Sequence, residues 1–259
     1  MNYGMHISSS GALTSMARMD TLTNNLANVN TVGFKPQTPY SRQRDVVRIE
    51  DNLLTMDSNP LLEKLGAGVQ LAPTRINFSQ GSLSDSGNPL DVAFSGSGFL
   101  AVKAESSGDT SEINLTRDGR LSLDGSGKLV MSSSGRPVLD ITNKPIFLNG
   151  EGEVQIASDG AITQGNEEVA KLRLVDVHDK TQLKKAGGGM YQMNAGALEN
   201  MIPATGALKQ GMVESSGVDE IKALMQVQSA AGAVRANLAM ISYHDKLMDR
   251  AINRLGRGT

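Results

Sequence analysis

The sequence predicts an α+β fold in which an N-terminal and a C-terminal helix pair as a coiled coil, with a central antiparallel β domain between them. Two observations support this prediction. Near both ends of the 259-residue chain, apolar residues recur at alternating spacings of three and four, the period of helices that pack on one another. Between the ends, short alternating apolar runs are separated by glycine-rich turns, which is typical of antiparallel hairpins.

The C-terminal helical segment, predicted over residues 214–259, carries the longer of two apolar stripes. Ser216 followed by Asp219 is a variant of the capping box at its start. Nine of ten positions at heptad spacing are apolar, and Asp245 is the interruption. The apolar members of this C-terminal stripe are Leu224, Val227, Ala231, Val234, Leu238, Ile241, Met248, Ile252 and Leu255. A stripe of this period is buried only against another helix.

The N-terminal segment, residues 1–34, carries the matching pattern on a helix predicted over residues 8–30. Its start is predicted at the serines of residues 8–10, whose hydroxyls can cap a helix. The stripe consists of Ala12, Ser15, Met19, Leu22, Leu26 and Val29. Gly33 and Pro36 then end the helical pattern.

Two further regions follow: an extended connector over 35–75, with a short helix or hairpin, and the β domain over 76–213. The strands predicted in the β domain share period-two alternation next to turn residues. They are a strand pair within Val92–Val102 broken at Gly96–Gly98, a hairpin of Leu121–Leu123 with Leu129–Met131, a pair of Val154–Ile156 with Ala161–Ile162, and one strand over Lys171–Val177.

Composition excludes several functions. The chain has no cysteine, so disulfides, thiolate metal sites and cysteine nucleophiles are ruled out. A net charge of −2 and 3% aromatic residues argue against a nucleic-acid surface. No apolar run has the length of a signal peptide or a membrane span. We therefore expect no nucleic-acid partner and no membrane span.

Candidate chemical motifs each have a simpler explanation. Gly96-Ser97-Gly98 lacks the third glycine of a phosphate loop and fits a strand kink. The aspartates at 118, 124, 159 and 176 could form a glycosidase pair, but aromatic subsites for sugars are scarce. His244 with Asp245 fits a polar break that sets helix register. A secreted carbohydrate-active enzyme and a surface adhesin remain as alternatives from other functional classes.

The helical ends instead indicate assembly. The conformational entropy lost on ordering the C-terminal segment exceeds what its apolar stripe returns when it packs on a single partner helix. We therefore expect both ends to be poorly ordered in the monomer and to fold fully when many copies pack together. Head-to-tail contacts that do not close would generate helical rods.

Several segments resemble the bacterial flagellar basal-body rod and hook proteins, the axial proteins of the flagellum, over nearly the whole chain. The most specific is Asn24–Lys35, with the sequence NNLANVNTVGFK. Others mark the entry to the family's β domain and the start of its C-terminal helix. They are Phe78–Leu83, Gly87–Ala93, Gly96–Val102, Thr116–Arg120, Gly127–Val130 and Ser216–Asp219. One departure is Gly232–Arg235, where the family often has Arg-Ala-Tyr-Glu.

The resemblance implies a non-catalytic, structural subunit of the rod, the drive shaft that crosses the periplasm from motor to hook. It therefore implies no enzyme activity, no cofactor and no metal. It implies export through the flagellar type III apparatus without a cleaved signal peptide, and contacts with copies of itself and neighbouring rod proteins. The chain length leaves the proximal and the distal rod types, and the opening residues 1–5 favour the proximal type. The residues expected at subunit interfaces are Asn25, Leu26, Asn28, Phe34, Leu224, Val227, Val234, Leu238, Ile241, Met248, Ile252 and Leu255.

Overall fold

The computed structural model describes residues 3–50, 52, 64–104, 113–149, 152–165, 167–193 and 201–255. It confirms the α+β fold, with an N-terminal helix packed on a C-terminal helix and an antiparallel β domain between them in sequence. The helices are α1 (Tyr3–Ala27), α2 (Val47–Glu50) and α3 (Glu220–Arg250), and α3 continues into a π-helical turn at Ala251–Leu255. None of the described helices combines the length and apolar character that crossing a bilayer requires.

Seventeen strands and a 3₁₀ turn at Lys180–Gln182 make up the remaining described elements. The strands are β1 (Gln37–Gln43), β2 (Val69–Ile76), β3 (Leu83–Asp85), β4 (Val92–Ser95), β5 (Phe99–Lys103), β6 (Ile113–Thr116), β7 (Leu121–Leu123), β8 (Leu129–Met131), β9 (Val154–Ile156), β10 (Ala161–Gln164), β11 (Glu167–Lys171), β12 (Leu174–Val177), β13 (Leu183–Gly187), β14 (Met190–Met193), β15 (Met201–Pro203), β16 (Ala207–Gln210) and β17 (Met212–Glu214).

The chain divides into two compact units that do not follow its sequence order. The helical unit contains the described residues of 1–27, 37–76 and 219–259, and the β unit contains those of 28–36 and 77–218. The antiparallel pair of β1 and β2 lies in the helical unit, where both strands pack on α1. The segment predicted as a connector therefore contributes structure to the helical unit, and the short segment after α1 belongs to the β unit.

Both long helices begin at residues other than those first predicted. Helix α1 starts before the serines, so Ser8 lies in its interior and its hydroxyl donates to the carbonyl of Gly4. A serine in this setting satisfies its hydroxyl on the preceding turn. Helix α3 starts at Glu220, and the side chain of Asp219 accepts a hydrogen bond from the Lys222 N–H. The cap is therefore Asp219, while the Ser216 hydroxyl accepts from Val218 in the turn before it.

The β unit is built on a six-stranded antiparallel sheet with the order β13-β14-β6-β5-β12-β15. Smaller sheets pair β9, β10 and β11, β4 with β16, β3 with β17, and β7 with β8. Their inward side chains form one apolar core, in which Leu100, Leu121, Leu129 and Ile162 are almost fully buried. Burial of these large apolar side chains is the main stabilising contribution to the β unit.

The predicted β7–β8 hairpin and β9–β10 pair are confirmed, and two strand predictions need correction. The strands on either side of Gly96–Gly98 do not pair with each other, because β4 pairs with β16 while β5 pairs with β6 and β12. The predicted strand Lys171–Val177 is two strands, because Leu172 and Arg173 bond to Gly160 and Leu139 outside the ladder. Local alternation does not reveal either pairing.

Candidate assembly interface

Helices α1 and α3 meet through small and polar side chains. The buried residues on the two helices include Ser8, Ala12, Ala223 and Ala230, each less than a tenth exposed. Two glycines allow the closest approaches. A Cβ on Gly4 would lie 2.5 Å from the imidazole of His244, and one on Gly11 would lie 2.7 Å from the amide oxygen of Asn237.

Small residues at this contact bring the helix backbones together but bury little apolar area, so the pairing contributes little hydrophobic stabilisation. Leu22 is the one large aliphatic side chain that is buried among the described residues of α1 and α3. The inner seam of the helical unit, defined by Gly4, Ser8, Gly11 and Ala12 with Ala223 and Ala230, is thus narrow.

Large apolar side chains lie instead on the outside of both helices. Leu13 is 64% exposed on α1 and Ile221 is 74% exposed on α3. The exposed apolar face comprises Leu13, Met16, Ile221, Leu224, Met225, Leu238, Met240, Tyr243, Leu247, Met248 and Ile252. A monomeric soluble protein rarely exposes so many large apolar side chains on two elements, and such a surface marks an interaction site.

The predicted C-terminal stripe lies along the border between the inner seam and this exposed face. Val227, Val234 and Ile241 are half-buried. Leu224, Leu238, Met248 and Ile252 are exposed and are not buried against α1. The side chain of Leu255 lies outside the described residues. The heptad pattern followed the large residues, whereas the contact with α1 is made by small ones one position away, such as Ala223 and Ala230.

The pattern also missed part of the exposed apolar face. At 100° per residue, Met225, Met240, Tyr243 and Leu247 fall on the opposite flank of α3 from Leu238. A search of the sequence for a second apolar stripe on the same helix would have found these residues. Both flanks of α3 therefore carry large apolar side chains in the free chain.

The asparagines at the C-terminal end of α1 and just after it bind within their own chain. The buried amide of Asn25 donates to the Gln37 carbonyl at 2.7 Å and accepts from the Gln37 N–H at 2.9 Å, which fastens the end of α1 to β1. The backbone carbonyl of Asn28 accepts a hydrogen bond from the Thr31 N–H, and the side-chain oxygen of Asn28 accepts one from the Thr31 hydroxyl. These contacts end the helix locally, and a role of Asn25, Leu26 and Asn28 between subunits stays a prediction.

Phe34 is buried in the β unit, where its ring packs against a lysine that the sequence did not suggest. The ammonium of Lys185 lies 3.8 Å from the centre of the Phe34 ring, a cation–π contact. The Lys185 nitrogen has no hydrogen-bond partner among the described residues. Burial lowers the pKa of Lys185 from 10.5 to about 8, because a desolvated ammonium is disfavoured.

Next to Phe34, three charged residues form a buried group that we call the root cluster: Lys35, Arg117 and Glu214. The Lys35 ammonium donates to Oε1 of Glu214 at 2.5 Å, and Nη1 of Arg117 lies 3.3 Å from Oε2. Burial lowers the pKa of Lys35, and its hydrogen bond to Glu214 opposes that shift. Sequence reasoning missed this cluster because Lys35 and Glu214 are 179 positions apart.

The aspartates considered for catalysis hold local structure. Asp118 forms an ion pair with Arg120, and Asp159 with Lys171. Asp124 accepts from Ser126 and Lys128 in the turn between β7 and β8, and these bonds lower its pKa. Among the described residues, no group of three or more potential ligand side chains is arranged to hold a metal ion.

Comparisons with known proteins identify the family. The sequence profile of the family described as "Flagella basal body rod protein" matches residues 5–35. The chain is 31% identical to the flagellar basal-body rod protein FlgF of Caulobacter vibrioides over 99% of both chains. It is also 31% identical to FlgG of Buchnera aphidicola over 94% of this chain and 96% of that one. The flagellar hook-basal body complex protein FlhO of Bacillus subtilis is 26% identical over 98% of both. The chain therefore belongs to the flagellar basal-body rod protein family.

Proposed function

We propose that this chain is a structural subunit of the flagellar rod, that it assembles through the exposed apolar face of α1 and α3, and that the assembled helices transmit torque from motor to hook. The exposure of large apolar side chains on both helices is the observation that carries the proposal. Each such side chain that a neighbouring copy buries completely contributes about 1.5–3 kcal/mol. The narrow inner seam leaves that contribution available to contacts between subunits.

The chemistry of the two helices favours a neighbour of the same kind over an unrelated partner. A helix with apolar residues on both flanks can contact two neighbours at once, one on each side. Contacts that pair different surfaces of identical subunits are heterologous, and where they do not close they generate helical arrays. We infer that neighbouring rod proteins with similar terminal helices dock at the same face.

Within the rod we propose the proximal type. The relative named FlgF aligns over 99% of both chains. The relative named FlgG leaves slightly more of each chain unmatched. A basal-body location in the periplasm and export through the flagellar type III apparatus belong to the same proposal. Complementation of two bacterial strains, one lacking the proximal and one lacking the distal rod protein, would decide between the types.

The direct test of assembly is Leu238→Asp, produced in a flagellated strain that lacks its own copy. A carboxylate at position 238, on one flank of the exposed apolar face, cannot be buried between subunits without a large desolvation cost. We expect loss of rods in isolated basal bodies and loss of swimming in soft agar. The circular-dichroism signal of the purified chain should stay close to that of the wild type.

The matched control is Ile141→Asp, which places the same charge on an exposed isoleucine of the β unit. We expect this variant to assemble and to swim. Rods formed by Leu238→Asp at wild-type yield would contradict the proposed function.

A further inference from the structure

The root cluster lies near two of the four points at which the chain passes between its units. Lys35 is in the short segment of the β unit that follows α1, Glu214 is in the last strand before α3, and both side chains are fully buried. Their polar atoms have further partners. The Lys35 ammonium also donates to the Ser79 carbonyl at 2.7 Å, and the Gly81 N–H donates to Oε1 of Glu214 at 2.7 Å.

Backbone hydrogen bonds also hold the segment around Phe34 and the segment around Glu214 side by side. The Gly33 N–H donates to the Glu214 carbonyl at 2.7 Å, and the Gly217 N–H donates to the Phe34 carbonyl at 2.9 Å. Gly33 has φ +68°, and a Cβ at this position would lie 2.5 Å from the backbone of Arg117. Residues 33–35 and 214–217 therefore form one closely packed junction within the β unit.

A buried ion pair is a poor source of stability, because desolvation of the charges offsets their attraction, and well-packed apolar residues often stabilise as much. In some proteins such a pair instead fixes one geometry, because each charge tolerates only its own partners. Arg117 adds to this definition, since its guanidinium also donates to the Gly96 carbonyl and lies 5.1 Å from the Phe99 ring centre.

We propose that Lys35, Arg117 and Glu214 are positioning residues. They hold the segment that follows the C-terminal end of α1 next to the segment that precedes the N-terminal end of α3, so that α1 and α3 pair at high effective concentration. Two segments tethered at neighbouring points meet far more often than segments tethered loosely. The narrow inner seam of α1 and α3 needs this assistance. The inference rests on the proposed function. It adds that the root cluster favours pairing of α1 and α3 in the single chain, before subunits assemble.

The test measures helix pairing in the full-length, unassembled chain. Because the sequence contains no cysteine, spin labels can be placed at Leu13→Cys and Met240→Cys, which are exposed on α1 and α3. Pulsed electron resonance then gives the distribution of distances between the two labels. A narrow peak reports paired helices, and a broad distribution reports unpaired ones.

The variant Lys35→Met removes one charge of the root cluster, and Lys184→Met removes an exposed lysine from β13 as the matched control. We expect the ratio of paired to unpaired helices to fall about tenfold in Lys35→Met and to stay unchanged in Lys184→Met. Lys35→Arg, which keeps the charge, should recover part of the loss. Wild-type pairing in Lys35→Met would overturn the proposal.

A second variant keeps the root cluster and changes only the tether. Ten Gly/Ser residues inserted between Val218 and Asp219 lower the effective concentration of α3 while the β unit stays intact, so this variant decides the matter even if Lys35→Met unfolds. Unchanged pairing after the insertion would also overturn the proposal. Electron microscopy of unlabelled wild-type chain tests the proposed function separately, because absence of rods there leaves the pairing result standing.

Discussion

The β unit and the helical unit bury their apolar residues in opposite ways. In the β unit, Phe99, Leu115 and Leu129 have no measurable exposure. In the helical unit, the buried side chains are mostly serine, asparagine and alanine, while leucines and methionines face outward. The difference teaches that the β unit buries its large apolar side chains within one chain, whereas the helical unit leaves them on a surface of the kind that marks interaction sites.

The largest expected effect of this difference is on amide hydrogen exchange in the unassembled chain. Amides of the β unit, including those of residues 28–36, should exchange on the order of a thousandfold more slowly than those of α1 and α3, because exchange reports the local free energy of opening. Mass spectrometry of exchanged peptides gives the comparison. Equal protection of both units would show that the helical unit is stable by itself.

Adding one methyl group should affect the stability of the β unit differently at a closely packed position and in an open turn. A Cβ on Gly119 would lie 1.6 Å from the Val92 carbonyl oxygen. This distance is far below van der Waals contact, so the backbone would have to shift. We expect Gly119→Ala to lower the free energy of unfolding of the β unit by about 2–4 kcal/mol, measured by urea denaturation.

The control for this change is Gly125→Ala, in the turn between β7 and β8, where a Cβ would meet nothing within 4 Å. Its free energy of unfolding should stay within about 0.5 kcal/mol of the wild type. An equal loss in both variants would mean that close packing at Gly119 is not the cause.

A smaller effect is expected when the same substitution is made on the two helices. Gly232→Ala adds a methyl group to α3 where nothing lies within 4 Å, so helix propensity should stabilise the helical unit by about 1 kcal/mol. Gly11→Ala brings the same propensity gain but places its Cβ against Asn237 in the inner seam. Helix content by circular dichroism should therefore rise more for Gly232→Ala. A larger rise for Gly11→Ala would argue against close contact along the seam.

The smallest expected effect concerns Lys185, through the pH dependence of the β unit's stability. Its pKa is about 8 in the folded chain against 10.5 ordinarily, so between these values the unfolded chain binds more protons. The free energy of unfolding then rises with pH across about 8 to 10.5, and the contribution is constant below that window. Lys185→Met should remove this rise and stabilise the β unit by about 1 kcal/mol at pH 7.

Lys184→Met is the reference for that measurement, because this neighbouring side chain on β13 is exposed. Lys35 also has a lowered pKa, so it too makes the free energy of unfolding rise with pH. The contribution of Lys185 is therefore the difference in slope between the variant and the wild type. Identical slopes in Lys185→Met and wild type between pH 8 and 10 would refute the assignment to Lys185.

Much of the fold could be predicted because the signals are local. The hairpin of Leu121–Leu123 with Leu129–Met131 follows from alternation on either side of an Asp-Gly turn, and the two long helices follow from their apolar period. The start of α1 could not be predicted in this way. Serine favours both helix caps and backbone bonds inside a helix, and only the packed structure shows that Ser8 makes the second kind.

The sequence pattern identified part of the exposed apolar face. The heptad pattern found Leu224 and Leu238, which the structure places on the exposed apolar face. It did not find the opposite flank with Met225 and Tyr243, because a search for one stripe records one face of a helix. It also could not tell inner from outer positions, since alanine at Ala223 or Ala230 carries too weak an apolar signal to compete with leucine.

The sequence by itself determined that this protein has paired helical ends, a β domain between them and a place among the flagellar rod proteins. The apolar period predicts the helices, the turn residues predict the β domain, and the local motifs indicate the family. Only the tertiary structure decided which side of α3 faces α1 and that Lys35 meets Glu214 across 179 positions. Both depend on packing between distant segments, where the size and charge of each contact select one arrangement among several that the same local pattern allows.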